Sequence, residues 1–146
     1  MSAGARTAPI RVLLVEDNPG DADLTKDTME AGNLRLAIDV VSDGEEAMNY
    51  LLGHGSADNA AAPDVIILDL NLPKMSGREV LAEIRQHQHL RTIPVVMLSS
   101  STDPGDVAAS YDLGASCYVN KPLGLAAFQA VVRAIDGFWF TVVRFR

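Results

Sequence analysis

Several short segments of the 146-residue chain end in side chains that could do chemistry together. Glu16 and Asp17 follow the apolar run IRVLLV (Ile10–Val15), and Asp69 closes VIIL (Val65–Leu68) inside VIILDLNLP. Ser99 and Ser100 follow VVML (Val95–Leu98), and Asn120, Lys121 and Pro122 follow CYV (Cys117–Val119). Three carboxylates brought close together repel one another unless a cation sits among them. Oxygen ligands without His or Cys favour a hard cation, Mg2+ or Mn2+. Mg2+ held by one or two carboxylates keeps positions free for water and phosphate oxygens. Lys121 can offer a compact positive charge to a second phosphate oxygen, and the Ser99 hydroxyl can donate to a third. The set fits phosphoryl transfer onto Asp69 as nucleophile, with Mg2+ and Lys121 offsetting the charge.

Bringing these residues to one place requires strands that run side by side. The runs Ile10–Val15, Ala37–Val41, Val65–Leu68, Val95–Leu98 and Cys117–Val119 are short, apolar and rich in β-branched residues. Such runs suit strands buried on both faces of a parallel sheet. Helical patterns lie between them. Asn18-Pro19 and Asp103-Pro104 read as an N-cap followed by the first helical residue. Ser42 with Glu45, and Ser76 with Glu79, have the spacing of capping boxes. Gly114 stands where a C-cap would end the fourth helix. Leu125, Phe128, Val131, Val132 and Ile135 form one stripe of a fifth. Gly53–Pro63 is the one long irregular stretch, a surface loop before the third strand. The result is an α/β domain, a (βα)5 chain around an open parallel sheet. Ligands of such sheets bind at the carboxyl ends of the strands, where the strand order reverses.

Composition bounds the possibilities. Apolar residues are 48% and charged residues 21% of the chain, as in ordinary globular domains. A chain of this length buries enough surface to fold without a disulfide or metal staple. The single Cys117 excludes an internal disulfide and a cysteine-based zinc site. With 19 acidic and 12 basic residues the net charge is −7, which argues against a nucleic-acid surface. No apolar run is long enough for a membrane span, and Met1–Pro9 lacks the apolar core of a secretory signal. A cytoplasmic protein is expected, with residues 1–9 as a loose arm, 10–136 as one domain and 137–146 as an apolar extension.

The segments IRVLLVEDNPGDADL, PDVIILDLNLPKMSG, IPVVMLSSS and LGASCYVNKP, in that order, resemble the receiver domain of two-component response regulators. The match spans about residues 10–136. The resemblance implies a doubly wound, flavodoxin-like sheet of order 2-1-3-4-5. It implies that Asp69 is the phosphoacceptor, aided catalytically by Lys121 and Ser99. It further implies metal binding by Asp17, Asp69 and the Asn71 carbonyl, with Glu16 acting directly or through water. Ser99 is then the switch hydroxyl and Tyr118 the aromatic that turns inward after phosphorylation, and the Lys121–Pro122 peptide is expected to be cis. The chain departs from the commoner pattern in having Ser99 rather than Thr at the switch position, a longer Gly53–Pro63 loop and the extension FWFTVVRF (Phe138–Phe145). Loop, extension and SGREVLAEI (Ser76–Ile84) resemble the stand-alone receivers paired with phytochrome-type histidine kinases.

Taken singly, these residues have structural readings. Asp69, Ser99 and Ser100 suit turns, Tyr118 suits the core, and Cys117 is a small buried hydrophobe. His54, His87 and His89 lie in polar text and receive no ligand role. Three other functions compete with the receiver. An aspartate-nucleophile phosphatase of the haloacid-dehalogenase type also uses a strand-end Asp, but wants a second acid where Asn71 stands. A pseudo-receiver would bind proteins without taking phosphate. A flavodoxin needs backbone amides and hydroxyls after its first strand, where this chain has EDNPGDAD. A receiver of this length is expected to signal by conformational change and protein contact, with a sensor histidine kinase as partner, and to self-phosphorylate from small phosphodonors and slowly lose the group. Four of the chain's eight aromatics fall in the Phe138–Phe145 segment, which is expected to make a homodimer because an apolar patch of that kind usually marks an interface.

Overall fold

A computed structural model describes residues 9–31, 36–54, 62–100 and 103–121. Its strands are β1 (Ile10–Val15), β2 (Leu36–Val41), β3 (Val65–Asp69), β4 (Val95–Ser99) and β5 (Cys117–Asn120). Its helices are α1 (Pro19–Glu30), α2 (Gly44–His54), α3 (Gly77–Gln86) and α4 (Pro104–Asp112). Every residue of β3 and β4 is buried, which is why Val65–Leu68 and Val95–Leu98 carry apolar side chains without alternation. All strand pairs are parallel, in the order β2-β1-β3-β4-β5. The chain leaves β1 to one side for β2 and returns on its other side for β3, so the reversal falls between β1 and β3.

Register decides what meets at that point. Val15 pairs with Leu68, so Glu16 stands level with Asp69 one residue past the pair. Asp69 pairs with Leu98 and Ser99 with Asn120, which puts Ser99 and then Lys121 one step further along. The ladder continues past the strands: Leu70 N–H donates to the Leu98 carbonyl at 3.0 Å and Lys121 N–H to the Ser99 carbonyl at 2.8 Å.

Side chains alternate between two apolar layers, as the pleat requires. Leu13, Val15, Ile66 and Leu68 pack with Ala47 and Leu51 of α2 and Val80, Leu81 and Ile84 of α3. Val12, Leu14, Ile67, Val96 and Leu98 pack on the other face with Ala22 and Met29 of α1. The expected fifth helix, the N-terminal arm up to residue 8, the Lys121–Pro122 peptide, Phe138–Phe145 and most of the Gly53–Pro63 loop lie outside the described residues.

Three helix starts follow the sequence. Asn18 caps α1 and accepts from Asp21 N–H, Ser76 and Glu79 form a reciprocal capping box on α3, and Asp103 caps α4. The start of α2 differs. The expected Ser42–Glu45 box is replaced by Asp43, whose carboxylate accepts the Glu46 N–H at 2.7 Å, while Glu46 reaches back to Ser42 N–H. The helix begins at Gly44, so the short acid immediately before it meets the third helical N–H, and the frame moves by one residue. The same helix runs to His54, taking the first two residues of the stretch expected to be irregular.

Two glycines are fixed by their surroundings. Gly114 ends α4 at φ +101°, a conformation other residues avoid. Gly77 starts α3 against the end of β3: its N–H donates to the Leu70 carbonyl at 2.9 Å. A Cβ there would lie 2.2 Å from the Asp69 carbonyl oxygen and 2.8 Å from Leu70 Cα, both backbone atoms that cannot swing aside. Gly77→Ala is therefore expected to lower stability by about 1–3 kcal/mol, read from urea midpoints at unchanged slope, with Ala at the open position Gly53 as the comparison.

Candidate functional site

The carboxyl edge of the sheet gathers the residues singled out from sequence. Glu16 and Asp69 are buried at the ends of β1 and β3, and Asp17 beside them is exposed. Carboxylate oxygens of Glu16, Asp17 and Asp69 lie within 4.8 Å of one another. Lys121 reaches back over them from the end of β5. Its Nζ is 2.7 Å from Asp69 Oδ2, 2.7 Å from Glu16 Oε1 and 3.2 Å from Asp21 Oδ2. Backbone amides complete the set: Asn71 N–H donates to Asp69 Oδ1 at 3.0 Å, and Asn18 N–H to Glu16 Oε2 at 3.2 Å. These amides come from the turns that follow β3 and β1, so each turn orients the acid that precedes it.

One ammonium cannot neutralise three carboxylates. Burial, then the hydrogen bond shared with Asp69, push the Glu16 carboxyl up to about 7, although Lys121 and Asn18 N–H pull the other way. Burial opposes the Lys121 charge, but its contacts with the Asp69 and Glu16 carboxylates outweigh that and hold its pKa above the ordinary lysine value. Glu16 Oε1 is buried without a hydrogen-bond partner among the described residues; its 2.7 Å approach to Lys121 Nζ is a charge contact. A buried, under-satisfied oxygen within an all-oxygen set is what a hard divalent cation completes, so the residues present fit Mg2+ or Mn2+.

The remaining candidates stand close by. Ser99 is wholly buried at the end of β4, and its carbonyl anchors Lys121 N–H. Asn71 is exposed and touches the site through its amide. Tyr118 is half-buried on the edge strand, packed against the α2–α3 layer, and its N–H donates to the Tyr111 hydroxyl at 3.2 Å.

Sequence reasoning missed Asp21. The motif Asn18-Pro19 marks the helix start, and the third helical residue of such a start faces back toward the strand end. That position was readable; the meeting with Lys121, one hundred residues away, was not. It also missed Arg78, which pairs with Asp106 and ties the first turn of α3 to that of α4.

The sheet order and its edge pocket define a doubly wound α/β domain of the flavodoxin-like kind. Its acids and lysine set it apart from the flavin binders, which present a phosphate loop after the first strand. Residues 12–133 match the response regulator receiver domain. Response regulator Rcp1 of Synechocystis sp. (strain ATCC 27184 / PCC 6803 / Kazusa) is 41% identical over 135 residues, 92% of each protein. The crystal structure of the phosphorylated cyanobacterial phytochrome response regulator RcpA superposes with a TM-score of 0.75 at 44% identity, covering 93% of this chain and 97% of that one. The Mn2+-bound form of Rcp1 gives 0.73 at 41% identity, covering 92% and 97%. The chain belongs to the response regulator receiver domain family and is a signalling protein of the two-component kind. That membership does not favour the phosphatase alternative. No helix among the described residues is long and apolar enough to cross a membrane.

The crowding of charge has a measurable consequence. Glu16 holds its proton up to about pH 7 in the folded metal-free protein, against an ordinary value of 4.5. Between those values the folded state binds the extra proton, so this contribution to stability is full below the lower value and is lost as pH rises through the upper one. In EDTA, Glu16→Gln is expected to flatten the fall in urea midpoint between pH 5 and pH 8 and to leave the variant more stable than the parent at pH 8. Parallel pH profiles for the two proteins would show that Glu16 is ionised without strain.

Proposed function

We propose that Asp69 accepts a phosphoryl group from the phosphohistidine of a sensor kinase of the phytochrome type. The observation that carries this reading is the setting of the Asp69 carboxylate, buried at the sheet's reversal point with one oxygen on Lys121 and the other on Asn71 N–H. Those contacts fix the carboxylate, so little ordering remains to be done when the donor docks. An Asp69 oxygen forms the new bond to phosphorus as the phosphorus–nitrogen bond breaks, and the imidazole leaves with its electron pair and takes up a proton. Lys121 stays on the transferred group as its charge redistributes. Asp17, Asp69 and the Asn71 carbonyl, with Glu16 directly or through water, would hold one Mg2+ or Mn2+. When bound, the ion supplies positive charge to the phosphoryl oxygens. The Mn2+-bound form of the relative Rcp1 supports that assignment. The link to a phytochrome-type kinase rests on likeness to RcpA.

The signal is a shift between two packings. Ser99, at the end of β4, donates a hydrogen bond from its hydroxyl to a phosphoryl oxygen, and Tyr118 on β5 fills the space vacated. Phosphate must bind one packing better for the population to move. Acetyl phosphate serves as a small donor, and the group is lost slowly by hydrolysis. A homodimer through Phe138–Phe145 rests on the composition of that segment. Equal masses by light scattering for the full chain and a chain ending at Asp136, corrected for the missing residues, would reject it.

Incubation with acetyl phosphate and Mg2+ is expected to add one phosphoryl group by intact mass, and Asp69→Asn to add none while melting cooperatively. A pseudo-receiver would stay unmodified with Asp69 in place. Saturating Mg2+ is expected to raise the melting temperature over EDTA, by linkage about 2.7 kcal/mol at a hundredfold excess over Kd, and Asp17→Asn to remove most of the rise. Ser99→Ala is expected to accept the phosphoryl group yet leave the Tyr118 resonances unmoved on adding beryllofluoride, where the parent's shift.

A further inference from the structure

The Lys121 ammonium has three N–H donors, and three carboxylates surround it. Two belong to the pocket floor, Glu16 and Asp69, whose side chains are 0% and 4% exposed. The third, Asp21, comes from outside the floor. It is the third residue of α1, its N–H donates to Asn18 Oδ1 at 3.0 Å, and its side chain is 48% exposed. The cap that starts the helix therefore aims this carboxylate at the lysine.

We infer that Asp21 is a positioning residue, a carboxylate that occupies the Lys121 donor in the unphosphorylated protein and gives it up when a phosphoryl group arrives on Asp69. The inference rests on the reading of Asp69 as phosphoacceptor. A phosphoryl group brings oxygens that need the ammonium, and three carboxylates already crowd it at 2.7, 2.7 and 3.2 Å. Of its three partners, the pair with Asp21 is the longest and the most exposed, which makes it the weakest to hold and the first to yield. Glu16 cannot leave, because its carboxylate is enclosed by the fold. Asp21 thus works against phosphorylation in both states. Before transfer it competes for Lys121; after transfer its negative charge stands beside the phosphoryl group and disfavours it. No bond to Asp21 forms or breaks; one charged partner on Lys121 is exchanged for another.

The test compares the full-length parent with Asp21→Asn, Asp21→Glu and Asp23→Asn. Asp23 is exposed on the same helix and serves as a charge-matched control. Three quantities are read: the midpoint of beryllofluoride binding with Mg2+, the rate of phosphorylation by acetyl phosphate, and the lifetime of the phosphoryl group. Asp21→Asn is expected to bind beryllofluoride about two- to fivefold tighter, the range of a half-exposed ion pair, and to gain and keep the phosphoryl group correspondingly better. Asp21→Glu is expected to return toward the parent, and Asp23→Asn to match it. Equal values for parent and Asp21→Asn, or equal gains in Asp21→Asn and Asp23→Asn, would overturn the inference and leave the phosphoacceptor reading intact. A parent that takes neither ligand while Asp21→Asn takes both would support both readings. If neither protein takes either ligand, both readings fall. A drop in melting temperature for Asp21→Asn without a change in the three readouts would reduce Asp21 to a charge at a helix start and overturn the inference.

Discussion

One ammonium among three carboxylates is the arrangement on which this structure turns. Removing a charge from water is costly unless it is paired, and Glu16 and Asp69 are both inside. Lys121 makes their burial tolerable, and it can do so only if β1, β3 and β5 end at the right heights. A slip of one residue in any pair would turn that strand's side chains to the opposite layer and carry its end residue away from the lysine. The apolar alternation that fills the two layers is therefore also what holds the charges in place. Core and pocket are specified by the same register.

Pairing is incomplete all the same. Three acids meet one base, a buried Glu16 oxygen lacks a hydrogen bond among the described residues, and the Glu16 carboxyl is pushed up to about 7. A site optimised for stability alone would not keep a third acid. The excess negative charge is what a cation would offset, and the energy a bound cation supplied would be available only to a folded sheet that brings the acids together. Binding and folding would then be linked through repulsion that is relieved.

Much of this was legible in the sequence because it repeats a local rule. Each strand is a short apolar run, each run stops at a polar residue, and the parallel topology puts those stops on one edge. Glu16, Asp17, Asp69, Ser99 and Lys121 could be found that way without knowing a single contact. What could not be read depends on residues far apart or on a choice between near-equal local options. Asp21 looks like any acid in a helix's first turn until Lys121 is placed beside it. Ser42–Glu45 and Asp43–Glu46 both satisfy the spacing of a cap, and the chain takes the second because α2 starts at Gly44. The Arg78–Asp106 pair joins two helices whose contact no periodicity reveals. Gly77 reads as a residue after a cap, and only the fold shows that the Asp69 carbonyl leaves no room for a methyl group there.

The two arginines of α3 stand seven residues apart, on one face of the helix, and they hold α4 very differently. At the end remote from the pocket, the Arg85 guanidinium donates to the carbonyls of Arg91, Ile93 and Gly114 at 2.7, 3.1 and 2.6 Å. At the near end, Arg78 meets Asp106 in a pair whose side chains are 39% and 27% exposed. Between them α4 is thinly packed: its buried residue is Ser110, whose hydroxyl folds back onto the Asp106 carbonyl. The helix is held at its far end where Gly114 meets Arg85, and at its pocket-side turn by the half-exposed Arg78–Asp106 pair. Over its nine residues, about 13 Å at 1.5 Å per residue, a tilt of roughly 10° would carry the Pro104 end by about 2 Å while the far end stayed still. A tilt of that size at the mouth of the sheet would show on the surface as a change in this helix's outline.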